Sequence, residues 1–540
     1  MILITSAAFI SDDLTAELGR TPPSFLPIGN RRLFEHQLRL FEDCTEKTFI
    51  SLPETYLPEK TDTRKLKEAG AATVPVPEGL SLGASVSHVL DQTKPHWTED
   101  GLKILHGDTL LSGISTDRKD IVSVATNDGY YERAVVQKKN GHCHNGLPAT
   151  QFAEEGDLVL SGYFSFSDTA HFRHCLSTTD YDFVQALRRY GQDRKIEYAE
   201  SGTWLDFGHL NSFFRSRAKI TTQRSFNSLS IANQKVTKSS ADQKKINSEY
   251  LWFTDIPGEI KLHTPRVLDP FCKEDEQRFG YSSEYLHLLP LNDLFVYANH
   301  SQYTWRKIFD ACGTFLSKCR EHMAKDRSAV DIAGEVHAKT RLRLSEFART
   351  TGFRLDQELT INGRRSPSLN EIAKRSLAPV QGRQASTPCV VHGDFCMSNI
   401  LYDFRSQSIK VLDPRGLNLK GDTTVYGDQN YDYAKLYHSV IGLYDFIIAD
   451  RYTLEVQSGG LCLDFDIEVN QDTHQIQEQF SRSLFAGFDI DEAEVLSITI
   501  HLFLSMLPLH SDSFKRQCAF IANAIRLYEE LIDRYPVLRG

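Results

Sequence analysis

The sequence predicts an α/β domain over residues 1–220, followed by an α+β domain over residues 221–540 that becomes mainly helical. Three observations carry this division. Short apolar runs at Met1 to Ala8, Leu102 to Leu105 and Ile121 to Ala125 are separated by segments of helical spacing such as Leu33, Gln37, Leu38, Leu40 and Phe41, the alternation of an α/β sheet. After residue 220 the pattern changes to two short alternating runs, Ser225 to Ile231 and Lys235 to Lys238, with a helix over Asp242 to Phe253. From about residue 291 onward, apolar residues recur at helical spacing, from Leu294 to Met323, Leu342 to Ala348 and Gln475 to Leu538.

Composition narrows the classes. A chain of 540 residues is long enough for two or three folding units at about 100–200 residues each. The net charge of −10 argues against nucleic acid or an anionic membrane as a general partner, because the average field repels both. Ten cysteines without a CxxC pair read as reduced thiols and not as a disulfide framework. In His142-Cys143-His144, adjacent side chains of a strand point to opposite faces, which speaks against a metal site there. Met1 to Ile10 is too short and uncharged for a secretory signal, and no run approaches the ~18 apolar residues of a membrane helix. The expectation is a cytoplasmic protein with no membrane span and no nucleic-acid partner.

In the first domain, Met1 to Ala8 is a buried strand ending in a loop before Gly19. Pro22-Pro23-Ser24-Phe25-Leu26-Pro27-Ile28-Gly29-Asn30 leads into the helix that starts near Leu33, and Leu102 to Leu105 runs into His106-Gly107-Asp108-Thr109. A closing helix follows over Leu210 to Arg217. Leu26-Pro27-Ile28, Gly107-Asp108 and Trp204-Leu205-Asp206-Phe207-Gly208-His209 resemble, in order and spacing, the sugar-phosphate nucleotidylyltransferases and phosphocholine cytidylyltransferases. The resemblance implies a Rossmann-like mixed sheet in which Asp108 and Asp206 hold Mg²⁺ on CTP or another NTP while a sugar or alcohol phosphate attacks. Pro77 to Ser85 matches that family's glycine-containing turn before a helix near the nucleotide. Two features depart from the family. Ser6-Ala7-Ala8-Phe9-Ile10 stands where a glycine-rich loop with an Arg belongs, and Pro23-Ser24 where a Pro-Lys pair belongs. Arg20, Arg31 and Arg32 are the candidates to supply the missing charge.

In the second domain, Val390-Val391-His392-Gly393-Asp394-Phe395-Cys396-Met397-Ser398-Asn399-Ile400-Leu401 and then Ile409-Lys410-Val411-Leu412-Asp413-Pro414-Arg415-Gly416 read as loop, strand, turn, strand, with carboxylates at both ends of a hairpin. Phosphoryl transfer wants this layout, because its catalysis is mostly positioning and charge neutralisation around Mg²⁺. Asp394 accepts or orients the substrate hydroxyl, Asn399 holds Mg²⁺ from its amide oxygen, and Asp413 bridges metal and phosphates. The pattern HGDxxxxN followed by an apolar pair and Asp resembles the aminoglycoside phosphotransferase and choline kinase family. The resemblance implies a protein-kinase-like fold with an N-lobe of about 221–290 and a helical C-lobe of about 291–540. It places His392 with Asp394 in the catalytic loop, and Asp432 of Asp428-Gln429-Asn430-Tyr431-Asp432-Tyr433-Ala434-Lys435-Leu436 as the brace of that loop. Lys238, with Lys235 as alternate, and Glu249 are the expected strand Lys and helix Glu of the ATP site. Tyr281 to His287 is the expected hinge for adenine, with Glu284 and Leu286 as its binding positions. Phe226-Asn227-Ser228 stands in for the absent glycine-rich loop. Tyr452 to Val469 reads as a β insertion, and Leu507-Pro508-Leu509-His510 as a kink or break in the helical bundle, where His510 reads first as a structural histidine and, as the alternative, as a residue of the acceptor site.

Together these readings suggest a transferase with both activities: phosphorylation of a small alcohol, amino alcohol or sugar by ATP, then activation of the phosphate as an NDP or CDP derivative for capsule or other surface polysaccharide. The alternative keeps only the kinase active, with residues 1–220 as a nucleotide-sugar-binding or regulatory module. A scaffold that has lost both chemistries is the third reading.

Overall fold

The computed structural model describes residues 1–540 apart from 98, 100, 130, 137–147, 221–226, 233, 274–277, 326–329, 382–387, 486–490 and 537–540. His142-Cys143-His144 and Phe226 lie outside the described residues. The chain folds as two compact units, Met1–Ile220 and Thr221–Gly540.

The first unit is built on a mixed sheet. Strand Ile2–Thr5 lies parallel between Thr48–Pro53 and Leu102–His106, and Thr48–Pro53 pairs in parallel with Ala72–Val76. Beyond Leu102–His106 the sheet continues antiparallel through Leu158–Phe166, which also pairs with Ile121–Thr126 and Glu132–Val135. The central strand is apolar on both faces because the sheet is covered on both. Leu3 packs with Ile104, Val86 and Leu90 on one side, and Ile2 and Ile4 pack with Phe25, Phe34 and Ile50 on the other. Helix Leu82–Gln92 starts on Ser81, whose hydroxyl accepts the Ala84 N–H at 3.3 Å. Gly83, expected in the turn before this helix, is inside it. There a Cβ would meet the Tyr181 carbonyl oxygen at 2.2 Å, so this glycine permits close packing.

The second unit opens with a four-stranded antiparallel sheet in the order Asn227–Ala232, Lys235–Ser240, Arg278–Glu284, Val267–Lys273. Helix Gln243–Asp255, capped by the Asp242 carboxylate on the Lys245 N–H, buries Ile246, Glu249, Trp252 and Phe253. The stretch Leu294 to Met323, expected as one apolar helical run, is two helices, Leu291–Tyr297 and Gln302–Glu321. The break falls where the Ser301 hydroxyl caps the second helix by accepting the Thr304 N–H. The hairpin Tyr452–Gln457 with Cys462–Ile467 is present, and it is extended by a strand that the sequence did not announce, Leu359–Ile361. Glu492–His510 is the one stretch among the described residues long and apolar enough to cross a membrane, and 78% of its apolar window is buried inside the unit, as in a core helix.

His438, on helix Gln429–Val440, is enclosed between the rings of Tyr444 and Phe503 at 4.4 and 4.3 Å. Among the described residues neither ring nitrogen has a hydrogen-bond partner, and burial holds the imidazole well below its ordinary pKa of 6.5. A lowered folded pKa means that the unfolded chain takes up a proton that the folded chain refuses. The stability this residue contributes is therefore present above about pH 6.5 and is lost as pH falls. His438→Phe should raise the melting temperature, because each unsatisfied buried polar atom costs about 1–3 kcal/mol. It should also flatten the acid side of the stability curve below about pH 6 by up to about 1.4 kcal/mol per pH unit. Thermal unfolding from pH 5 to 8 checks both effects, and parallel acid limbs for the two proteins would refute the second.

Candidate functional site

Lys238 and Glu249 meet in the second unit. The Lys238 ammonium lies 2.5 Å from Glu249 Oε2 and 3.1 Å from Asp413 Oδ1. Lys235, the alternate, is three strand positions away, so it falls on the opposite face, and there it is exposed. Burial alone would depress the Lys238 ammonium, but the Asp413 and Glu249 carboxylates overcome that and hold its pKa above the ordinary lysine value. Tyr281, the cross-strand neighbour of Lys238, points its hydroxyl at Glu249 Oε2 across 3.4 Å. A strand, a helix and the end of the Ser408–Val411 strand thus deliver one cation and two carboxylates to a single point.

The loop that carries His392, Gly393 and Asp394 is held from behind. Asp432 Oδ2 accepts the His392 N–H and Asp432 Oδ1 the Gly393 N–H, both at 2.7 Å. Burial pushes the Asp432 carboxyl up to about 7 against these two bonds, which favour its ionised form. Gly393 has φ +78°, and a Cβ there would lie 2.8 Å from Arg415 Cβ, so only glycine lets the loop turn against Arg415. Gly416 does the same for the other arm, since its Cβ would fall 2.0 Å from the Ser248 carbonyl oxygen. Asp413 itself has φ +55°, an uncommon backbone for a non-glycine residue and one found where a site demands it.

His392 requires a correction. Expected among the catalytic groups, it is fully buried, with Nδ1 accepting the Asp394 N–H at 3.2 Å and its ring against Trp252 and Phe395. Burial holds the imidazole down to about 4, so it is neutral near pH 7 and shapes the turn through its bond to the Asp394 N–H. Asp394 retains 39% side-chain exposure and is the group that faces outward. Its Oδ1 pairs with the Lys435 ammonium at 2.8 Å, and its Oδ2 accepts from Asn399 Nδ2 at 3.2 Å. Burial would raise the Asp394 carboxyl, but Lys435 outweighs it and holds the group well below the usual carboxylate range. Lys435 was not foreseen as a site residue. The signal was present, since it stands three residues after Asp432 in the same motif.

Asn399 donates its amide N–H groups to Asp394, and its main-chain oxygen accepts the Leu412 N–H at 2.8 Å, which fixes it beside Asp413. An amide oxygen and the Asp413 carboxylate make a donor set of hard oxygens that suits Mg²⁺. Among the described residues, no group of three or more His, Cys, Asp or Glu side chains is arranged to hold a metal. Glu284 ends strand Arg278–Glu284, and Leu286 lies two residues beyond it. Glu284 Oε1 accepts the Arg266 N–H at 2.8 Å, and the Leu286 carbonyl accepts the Leu288 N–H at 2.9 Å. Glu284 is three strand positions from the Tyr281–Lys238 pair, roughly 10 Å along the strand. His510 packs on Phe520 at 4.8 Å and lies 6.3 Å from the Tyr444 ring, in the aromatic group around His438.

In the first unit, Asp108 follows strand Leu102–His106 and Asp206 ends strand Trp204–Asp206, which pairs antiparallel with Thr109–Leu111. Asp206 therefore arrives from a separate two-stranded ribbon. Its register opposite Thr109 and the Phe207 N–H on the Asp108 carbonyl at 2.8 Å bring the two carboxylates together. A Cβ on Gly208 would lie 2.4 Å from Asp108 Oδ2 and 3.3 Å from Asp206 Oδ1, so both oxygens face one small space. Burial, reinforced by Asp206, pushes the Asp108 carboxyl up. That space already holds a cation, because the Arg133 guanidinium pairs with Asp206 and lies over the Trp204 ring at 5.4 Å. Arg133 has no motif around it, and only tertiary packing reveals it.

The arginines proposed to replace the missing phosphate-binding charge are mostly engaged. Arg32 is 2% exposed and bonded to Asp62 and the Phe25 carbonyl, which removes it from any ligand. Arg20 pairs with Glu78 at 2.6 Å and stacks on Phe9 at 3.9 Å. Arg31 is exposed. Ser24, where the family's Lys would stand, is fully buried, its N–H donating to Ser6 Oγ at 3.0 Å and its hydroxyl to the Gly107 carbonyl at 3.3 Å.

No protein-family model matches this chain, and no curated protein matches it in sequence. Among solved structures it is similar to a thermostable mutant of aminoglycoside phosphotransferase APH(4)-Ia, at 11% identity and a TM-score of 0.37, over 58% of this chain and 93% of that one. It is also similar to a glucosamine kinase in complex with glucosamine, ADP and inorganic phosphate, at 12% identity and a TM-score of 0.36, over 61% and 87%. HddC from Yersinia pseudotuberculosis is similar at 11% identity and a TM-score of 0.28, over 41% of this chain and 99% of that one.

The grip of Asp432 on the catalytic loop yields a direct test. In Asp432→Asn one of the two N–H donors faces an NH₂ group and loses its acceptor. The variant should be less stable by about 1–3 kcal/mol, and the His392 and Gly393 amides should exchange with solvent faster. Unchanged exchange at both amides would remove the bracing role.

Proposed function

We propose that residues 221–540 form a Mg²⁺-dependent phosphotransferase that moves the γ-phosphoryl group of ATP to the hydroxyl of a small alcohol, amino alcohol or sugar. The observation that supports this reading is that Lys238 meets Glu249 and Asp413, while Asp394 meets Asn399, whose main-chain oxygen is bonded to the Leu412 N–H next to Asp413. In the reaction the bond from the γ-phosphorus to the ADP oxygen breaks and a bond to the acceptor oxygen forms, through a loose transition state in which positioning and charge neutralisation dominate. Asp394, ionised at neutral pH, orients the acceptor hydroxyl by accepting its hydrogen bond and takes the proton as the new bond forms. Lys238, pinned by Glu249, neutralises phosphate charge, and Asn399 and Asp413 would hold Mg²⁺. The ion, when bound, supplies further charge neutralisation on the phosphates.

In this reading residues 1–220 are a nucleotidyltransferase-type unit. It would use CTP or another NTP to activate the phosphorylated product for surface polysaccharide, with Asp108 and Asp206 toward Mg²⁺. Two observations favour the alternative that only the kinase works: Arg133 sits on Asp206, where a metal would compete with a fixed guanidinium, and no lysine stands in the place of Ser24.

Incubation with ATP, CTP, Mg²⁺ and a panel of alcohols and sugars, following ADP and pyrophosphate separately, distinguishes the readings. ADP with pyrophosphate supports the bifunctional enzyme, ADP alone the kinase, and neither would support a scaffold. Asp394→Asn should lower acceptor-dependent ADP release by about 10²- to 10⁴-fold while leaving the fold intact, and a variant with unchanged turnover would remove the kinase assignment. Asp413→Ala should weaken binding of ATP in the presence of Mg²⁺ far more than in its absence, as calorimetry would show. Asp108→Asn should suppress pyrophosphate release without affecting ADP.

A further inference from the structure

Beside Asp394 lies a group of cations that the phosphoryl-transfer machinery does not account for. Lys339, from helix Ile332–Thr351, places Nζ 3.1 Å from the Tyr431 hydroxyl, and Arg415 places Nη1 3.5 Å from the same oxygen. Tyr431 and Lys435 are four residues apart on helix Gln429–Val440, hence on one face and one turn apart, and Lys435 holds Asp394. Three positive side chains from three segments therefore surround one phenol next to the acceptor carboxylate.

Their counter-charges are few. Lys435 has Asp394, but among the described residues neither Lys339 nor Arg415 has a carboxylate partner. Glu335, one turn before Lys339 on its helix, is taken by Lys420 at 3.1 Å. Burial and the neighbouring cations Arg415 and Lys435 depress the Lys339 ammonium, although Tyr431 partly opposes them. The Tyr431 hydroxyl, which burial alone would raise, is brought down to about 8 by Lys339, Lys435 and Arg415. Like charges gathered in a partly dry place repel one another, and an anion that enters among them relieves the repulsion. The planar fork of Arg415 and the point charge of Lys339 are the two means by which proteins hold carboxylate and phosphate oxygens.

From this placement we infer that the acceptor is an anionic alcohol, bearing a carboxylate or phosphate group that Lys339, Arg415 and the Tyr431 hydroxyl receive while its free hydroxyl lies at Asp394. The inference rests on the phosphotransferase reading and narrows it. A positively charged amino sugar or amino alcohol would meet the same cations and be repelled. Lys339, Arg415 and Tyr431 are then specificity groups for the acceptor and take no part in holding ATP.

The test separates the two levels. Full-length protein saturated with a non-hydrolysable ATP analogue and Mg²⁺ is titrated with inorganic phosphate and, separately, acetate, and binding is read by calorimetry and thermal shift. Wild type should bind at least one of these anions, and Lys339→Met and Arg415→Gln should each weaken that binding at least tenfold while the analogue binds all three proteins equally. In turnover, matched acceptors are compared by ADP release: galactose with galacturonate and galactose 6-phosphate, and glucosamine as the cationic member. The anionic members should be preferred at least tenfold in kcat/KM, and Lys339→Met should raise their KM without changing the KM of ATP. Anion binding that is absent, or identical in wild type and both variants, overturns the inference, as does preference for galactose or glucosamine. Failure of the kinase reading looks different: Mg²⁺-ATP would not bind, or Asp394→Asn would turn over like wild type.

Discussion

The second unit depends on one buried ammonium. Lys238 has left water almost completely, and an isolated buried charge costs far more than a folded domain can tolerate. Glu249 and Asp413 must therefore stay beside it, and this requirement ties the sheet, helix Gln243–Asp255 and the arm that follows Ser408–Val411 to one point. A pair of this kind adds little net stability compared with apolar packing of the same volume. Its consequence is geometric: the Lys238 ammonium and the Asp413 carboxylate cannot drift apart without leaving a charge uncompensated.

A second constraint works from behind the catalytic loop. Asp432 spends both oxygens on backbone N–H groups and His392 spends a ring nitrogen on another, so the turn before Asp394 is formed by buried polar groups that are satisfied only in this conformation. Asp394 then projects outward with Lys435 on one oxygen and Asn399 on the other. The carboxylate is held ionised and aimed, which suits orientation of a hydroxyl more than abstraction of its proton from the ground state.

In the first unit the two carboxylates of the expected metal site are brought together, yet the devices for a triphosphate are replaced by structural contacts. Ser24 ties the Ser6 turn to Gly107, Arg32 closes a buried pair with Asp62, and Arg133 covers Asp206. Each of these uses hydrogen-bonding or charge capacity within the unit. The unit keeps its mixed sheet because Ile2, Leu3 and Ile4 pack on both faces, a requirement that does not depend on the ligand.

The sequence by itself determined what local chemistry determines. The short apolar runs became the strands of the first sheet, Asp242 capped the helix that carries Glu249, and the spacing from Asp394 to Asn399 and on to Asp413 placed those residues on one hairpin. Period and capping act within a few residues, so they can be read without a fold. Tertiary structure decided what depends on distant partners. Strand alternation puts Lys238 and Lys235 on opposite faces but cannot say which face meets Glu249. Burial, invisible in a motif, made His392 a neutral wedge. Arg133, Lys435, Lys339 and Arg415 lie far apart in the chain or carry no pattern, and their roles arise because charges act through space, where packing alone sets the distance.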